Sequence, residues 1–301
     1  MTHVWKGIGV NIDTRRVNGS IRKFRDELEF FSSLGFDYVE IPLAGLDVVV
    51  RGRIIERRMK RILDILNEFE IKRTVHAPDV VNLKHSTNPW HYRVMESTII
   101  FANRIGAEVV VYHCGTVDHR LDIRQKTQVQ SEIQALRKLG KMAEKHGVVI
   151  GVENLFQPAT EVVELVSEVN HPNVRMTLDF GHLFIYCEYT GADFYEQIEH
   201  ALPVTAELHV SDNFAEAPQT YQDVPDEEPY RFVYGIGDLH LPLGEGDIPY
   251  GRILPLVKKR GFEGIVVLEV NSMDRFKEDY ADSLKLLKRY ANSGNGRRTK
   301  K

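Results

Sequence analysis

Nine side chains of types that ligate metal ions stand out in this sequence by their placement, and most recur at one kind of place. His76, His113, Glu153, Asp179, His209 and Glu269 each close, or nearly close, a short apolar run. His182 follows three residues after Asp179, and Asp238 and His240 form an i, i+2 pair that an extended segment points to one side. A single histidine at such a place is more often a hydrogen-bonded structural residue than a ligand. The set is different, because ionisable groups aimed into one cavity repel or go unpaired without a cation. Mixed imidazole and carboxylate ligands suit Zn²⁺, Mn²⁺ or Fe²⁺ better than Ca²⁺. We therefore expect the set to hold divalent metal, with zinc and manganese among the candidates. The other histidines (His3, His85, His91, His119, His146, His171 and His200) fall on expected helices, outer loops or the terminus and are read as surface residues. Cys114, next to His113, is expected to point away into packing, and Cys187 to be a buried apolar residue.

The elements that must position these groups alternate along the chain. Strands are expected at 7–11, 37–41, 72–76, 108–113, 147–153, 174–179, 205–210 and 264–270, several of them near-continuous β-branched runs of the kind buried on both faces. Amphipathic stretches lie between them. Ile55, Met59, Ile62, Leu66 and Phe69 form one helical stripe; Val129, Ile133, Leu136, Leu139 and Ala143 form another. Gly35, Gly106, Gly147 and Gly261 stand where a helix C-terminus takes the left-handed conformation. Eight strand–helix units predict a single (β/α)8 TIM barrel over residues 1–292, with its chemistry at the C-terminal ends of the strands. A doubly wound open sheet would carry a Gly-rich phosphate loop after its first strand, and Val10-Asn11-Ile12-Asp13 is not one. The connection 211–248 is far longer than an ordinary βα loop. Its acidic part, Asp223 to Pro229, is read as solvated. Residues 293–301 are read as a disordered, solubilising basic tail.

The chain has 301 residues, 43% hydrophobic and 27% charged, with a net charge of −4. This excludes a disordered, collagen-like or purely coiled-coil chain and gives no global pull toward nucleic acid. No apolar run reaches the ~20 residues of a membrane span. Two cysteines cannot build a disulfide scaffold, so a cytoplasmic protein is expected.

The motifs Val75-His76-Ala77-Pro78, Tyr112-His113-Cys114-Gly115, Gly151-Val152-Glu153-Asn154, Leu178-Asp179-Phe180-Gly181-His182, His209-Val210-Ser211-Asp212 and Leu243-Gly244-Glu245-Gly246-Asp247-Ile248 together resemble the xylose isomerase-like TIM-barrel superfamily, also called the AP endonuclease 2 family, over roughly residues 7–290. Two branches fit. The sugar isomerase and epimerase resemblance implies one divalent metal on Glu153, Asp179, His209 and Glu269, with Glu153 and Glu269 as the acid/base pair and His113 and His182 on substrate hydroxyls. Glu40, on the second strand, matches a glutamate near that branch's pocket. The endonuclease IV resemblance implies three zinc ions: one on His76, His113 and bridging Glu153, a second on Asp179, His209 and Glu269, and a third on His182, Asp238 and His240. Asn82, six residues past His76, also fits that branch, and we count it with Glu40, His113 and His182 as substrate-contacting.

The departures decide the order of preference. Endonuclease IV opens its first strand with His-Val-Ser, where this chain has Asn11-Ile12-Asp13. Asp79 stands where that enzyme inserts an aromatic residue into DNA, placing an anion where a phosphate backbone would pass. Ketose 3-epimerases carry a substrate-binding arginine where Ala215 stands, which argues against a simple 3-epimerase. The leading expectation is a metal-dependent isomerase or epimerase acting on a small-molecule carbohydrate or sugar phosphate. The alternative is an abasic-site phosphodiesterase with DNA as its partner.

Overall fold

In the computed structural model, which describes residues 4–225, 227–270 and 276–291, eight parallel strands close into a barrel. We number them β1 (Gly7–Asn11), β2 (Tyr38–Pro42), β3 (Lys72–His76), β4 (Val109–His113), β5 (Val149–Glu153), β6 (Val174–Asp179), β7 (Thr205–Val210) and β8 (Ile265–Leu268). Each pairs with its neighbours in sequence, and β8 closes on β1. The (β/α)8 architecture is thus as the alternation predicts, with strand ends moved by one or two residues. Gly147 ends the preceding helix at φ 66°, as its place after the amphipathic stretch predicts, so the strand begins at Val149 rather than at 147. Gly35, Gly106 and Gly261 also adopt positive φ. The helix expected through Ile55 to Phe69 is shorter, Glu56–Leu66, and a two-residue hairpin (Val49–Val50 with Arg53–Ile54) precedes it.

Two apolar cores hold the barrel. The larger lies between strands and helices, where Phe24, Leu28, Phe31, Ile62, Ile99 and Leu136 are fully buried. Complete burial of each such side chain contributes about 1.5–3 kcal/mol. The smaller plugs the barrel interior with Tyr38, Val109, Val111, Ile265 and Val267, all from even-numbered strands, as the layered packing of such barrels requires. A Cβ on Gly7 would stand 2.6 Å from the Tyr38 ring, so a residue without a side chain makes room for that tyrosine.

Residues 211–248 form a folded insertion with a helix at Glu228–Tyr234. The buried carboxylate of Asp212 organises its return, accepting hydrogen bonds from the N–H groups of Asn213 (3.0 Å), Gly244 (2.8 Å) and Ile248 (3.0 Å). The acidic stretch is not merely solvated: Glu228 pairs with Arg15 of the segment after β1. The basic tail and Asp226 lie outside the described residues.

Candidate metal centre

Strand register brings the predicted ligands together. His113 is level with Glu153 across β4 and β5, and Asp179 is level with His209 across β6 and β7. The second match depends on a bulge between Met176 and Thr177, which shifts the pairing by one residue. Without it Leu208 would oppose Asp179, and a one-residue slip turns every following side chain to the other face.

Three clusters result. In the first, the Nε2 atoms of His76 and His113 lie 3.4 and 3.3 Å from Glu153 Oε2. His76 Nδ1 lies 2.7 Å from the Ala77 carbonyl, which fixes its proton there and leaves Nε2 free to ligate. In the second, Glu153, Asp179, His209 and Glu269 gather within 4.8 Å. His209 Nδ1 stands 3.0 Å from Glu153 Oε1 and 3.3 Å from Glu269 Oε2. In the third, Asp179, His182 and Asp238 gather within 4.8 Å, Asp179 standing where the resemblance implies His240; His182 Nδ1 and His240 Nε2 both lie 3.3 Å from Asp238 Oδ2.

These distances fit ligation better than ordinary hydrogen bonding. Ligands held about 2.0–2.1 Å from a tetrahedral zinc stand about 3.3 Å from one another. Moreover, Glu153 Oε2, Asp179 Oδ2 and Asp238 Oδ2, one oxygen from each cluster, are buried without a hydrogen-bond partner. Buried carboxylate oxygens carry a large desolvation cost unless something satisfies them. The donor set therefore fits divalent metal. Asp179 uses its two oxygens separately: Oδ1 caps the helix Phe180–Thr190 by accepting from the His182 N–H at 2.6 Å, and Oδ2 faces the cluster. Asn154 holds it in place, donating its Nδ2–H to the Asp179 carbonyl (3.0 Å) and accepting the Asp179 N–H (2.9 Å). Gly181 permits the close approach of Asp238, because a Cβ there would stand 2.9 Å from Asp238 Oδ1. Asp238 and His240 do face each other, but through a left-handed His240 (φ 48°) rather than simple strand alternation. Such strain in a non-glycine residue is typical of functional sites.

The electrostatics state the same need for positive charge. Burial disfavours the charged form of Glu153, yet His209 and His113 outweigh it and hold the carboxyl well below its ordinary range. Burial alone lowers an imidazole, but Glu153 and Glu40 lift His76 to about 10, and Asp238 and Glu269 lift His240 to about 10. Asp179 is pushed up to about 7 by burial and by the nearby Asp238, Glu153 and Glu269. Protons retained on imidazoles do here what a divalent cation would do.

A cavity of about 350 Å³ opens over the centre, lined by His76, His113, Glu153, His182, His240 and Glu269 with Asn11, Asp13, Arg15 and Asp79 around its mouth. Two expected substrate contacts do not line it. Asn82 ties loops together, donating Nδ2–H to the Thr116 carbonyl at 2.8 Å. Glu40 is fully buried beneath the centre, accepting from Asn11 Nδ2 at 2.7 Å and lying 3.4 Å from His209 Nε2. Cys114 and Cys187 are buried and take no part, and the burial-raised thiol of Cys187, at about 12, stays protonated. Among the histidines read as surface, none of those described lines the cavity, but His85, His91, His146 and His171 are half-buried, and His91 and His171 each accept a backbone N–H at 3.2 Å. Sequence reasoning gave no role to Glu207, Asn154 or Asp212, although Asn154 and Asp212 stand in the motifs that carry the resemblance. Glu207 left its own signal, a glutamate inside the apolar run Thr-Ala-Glu-Leu-His-Val, two residues from His209 and so on the same strand face.

Among the described residues no helix is long and apolar enough to cross a membrane. The chain is 22% identical over 274 residues to an uncharacterised protein of Methanocaldococcus jannaschii, covering 87% of this chain and 83% of that one. Its fold matches a D-tagatose 3-epimerase-like protein (TM-score 0.71, 20% identity, 94% of this chain and 96% of that chain). It also matches the D-psicose 3-epimerase of Clostridium cellulolyticum, solved with D-tagatose (TM-score 0.62, 19% identity, 95% of each chain). Residues 28–290 match the sequence profile of the xylose isomerase-like TIM barrels, and the chain belongs to that family.

Proposed function

We propose that this protein is a divalent-metal-dependent isomerase or epimerase of a sugar. The observation that carries the reading is the convergence of Glu153 and Glu269, from β5 and the end of β8, on the floor of one small cavity beside the Asp179–His209 pair. About 350 Å³ lies at the small end of small-molecule pockets, roughly 300–1,000 Å³, and suits one sugar unit. A fold neighbour named as a D-psicose 3-epimerase and solved with D-tagatose supports the same substrate class.

Glu153, Asp179, His209 and Glu269 would hold the metal, zinc or manganese, which when bound polarises a carbonyl and an adjacent hydroxyl of the sugar. Glu153 and Glu269 then act as the acid/base pair, one taking a carbon-bound proton and the other returning one. His113 and His182 orient hydroxyls. The test is exchange of a substrate carbon-bound proton with solvent deuterium across a panel of ketoses and aldoses. Glu153→Gln is expected to abolish exchange while circular dichroism stays unchanged. Exchange that persists in this variant refutes the assignment.

The full set of nine ligands in three clusters favours a second reading, a trinuclear zinc phosphodiesterase acting at abasic sites. Against it, Asp79 stands 73% exposed at the cavity mouth. Among the described residues that line the cavity the one arginine, Arg15, is already paired with Asp13 at 2.9 Å and with Glu228. Incision of an abasic duplex by zinc-loaded protein, lost in Glu153→Gln, would establish this reading in place of the first.

A further inference from the structure

His209 is fully buried and faces four carboxylates, two at each ring nitrogen. Toward the cavity, Nδ1 meets Glu153 and Glu269 at 3.0 and 3.3 Å. Toward the barrel interior, Nε2 meets Glu207 Oε1 at 3.3 Å and Glu40 Oε2 at 3.4 Å. Glu207 and Glu40 are themselves fully buried and do not line the cavity. They lie in the barrel interior, which the apolar cluster of Tyr38, Val109, Val111, Ile265 and Val267 also occupies. Two carboxylates in such surroundings cost several kcal/mol of desolvation, and apolar residues of similar volume would pack there without it. Their retention calls for a task. Among the described residues the imidazole both of them meet is His209 Nε2; Glu40 also stands in a group with His76 and Glu269 and is itself held by Asn11 Nδ2 and, at 3.3 Å, Thr74 Oγ1.

We propose that Glu207 and Glu40 are positioning residues for His209. They accept its Nε2–H, which fixes the tautomer, locks the ring plane and leaves the Nδ1 lone pair for the metal. A histidine ligand whose other nitrogen donates to a carboxylate is better oriented and more basic, and losing such a partner weakens metal binding about 10–100-fold. Alternation on β7 supplies the geometry, since Glu207 and His209, two residues apart, share the inward face. The assignment rests on the metal centre read above. It differs from a purely structural role in predicting which nitrogen carries the proton.

Two measurements test it. In ¹⁵N-histidine NMR spectra of zinc-loaded wild type, the His209 ring is expected to show a protonated Nε2 and a metal-shifted Nδ1. The converse pattern overturns the proposal and requires no variant to fold. By zinc titration, Glu207→Leu is expected to bind about 10–100-fold more weakly, with Glu207→Gln, which keeps an acceptor oxygen, restoring most of the loss. Equal affinity of Glu207→Leu and wild type overturns it. So does the loss of one bound ion from Glu207→Leu with the remaining ions held at wild-type affinity, which would assign Glu40, Glu207 and His209 Nε2 to a cation of their own. If wild type binds no zinc at all, it is the metal centre that fails, a result distinct from the others.

Discussion

Removing metal should make the stability of this protein depend on pH in a way the loaded protein does not share. His76 faces Glu153, Glu40 and Asp79, and His240 faces Asp238, Glu269 and Asp179; both rise from an ordinary 6.5 to about 10. A raised folded pKa means that the folded chain binds a proton which the unfolded chain releases. The resulting stability is complete below about pH 6.5 and lost as pH rises through about 10. At about 1.4 kcal/mol per pK unit, each imidazolium alone corresponds to roughly 4–5 kcal/mol. Glu153 and Glu269 are shared with His113 and His209, so the titrations are coupled, and we expect about 3–5 kcal/mol for the two together. At roughly 2–4 °C per kcal/mol, Tm of chelator-stripped protein should fall by about 10 °C between pH 6.5 and 9.5. With zinc or manganese bound, the ion replaces those protons and the fall should vanish, because metal ligation strengthens as ligands lose protons. Differential scanning calorimetry with and without chelator measures both slopes, and His76→Asn/His240→Asn corrects for general alkaline destabilisation. A stripped wild type whose slope equals that of the double variant would refute the view that imidazolium–carboxylate pairing holds the empty centre together.

Two further perturbations separate parts of the structure. Asp238 Oδ2 is the oxygen shared by His182 and His240, so Asp238→Ala should lower the bound metal count by one in elemental analysis while the Glu153 clusters stay loaded. An unchanged count would remove the third position. Lys84 is buried with its Nζ 3.5 Å from Glu132 Oε2, and Glu132 also accepts from Tyr112 Oη at 2.7 Å behind the β4 loop. Lys84→Met should cost about 3–5 kcal/mol in urea unfolding by leaving that carboxylate unpaired, and adding Glu132→Gln should recover most of it. A single variant as stable as wild type would show that the pair contributes nothing.

The sequence by itself determined the barrel and the rim, for physical reasons local to the chain. Strand alternation and β-branched runs place His76, His113, Glu153, Asp179 and His209 at strand ends whatever the rest of the molecule does, and the glycines at 35, 106 and 147 mark where helices stop. Other features come from long-range closure. The bulge at Met176 and Thr177, which levels Asp179 with His209, arises from pairing two strands about 30 residues apart in sequence, and no periodicity in either strand announces it. The left-handed turn at His240 belongs to the 211–248 insertion, which folds back on Asp212, so that His240 meets Glu269 from the insertion rather than from a strand. The resemblance implies that Glu40 sits near the pocket. Only the closed barrel shows that it is fully buried outside the cavity lining, 3.4 Å from His209 Nε2. Local patterning chose which residues point inward; the depth at which each one sits, and the neighbour it meets there, followed from closing eight strands in one register.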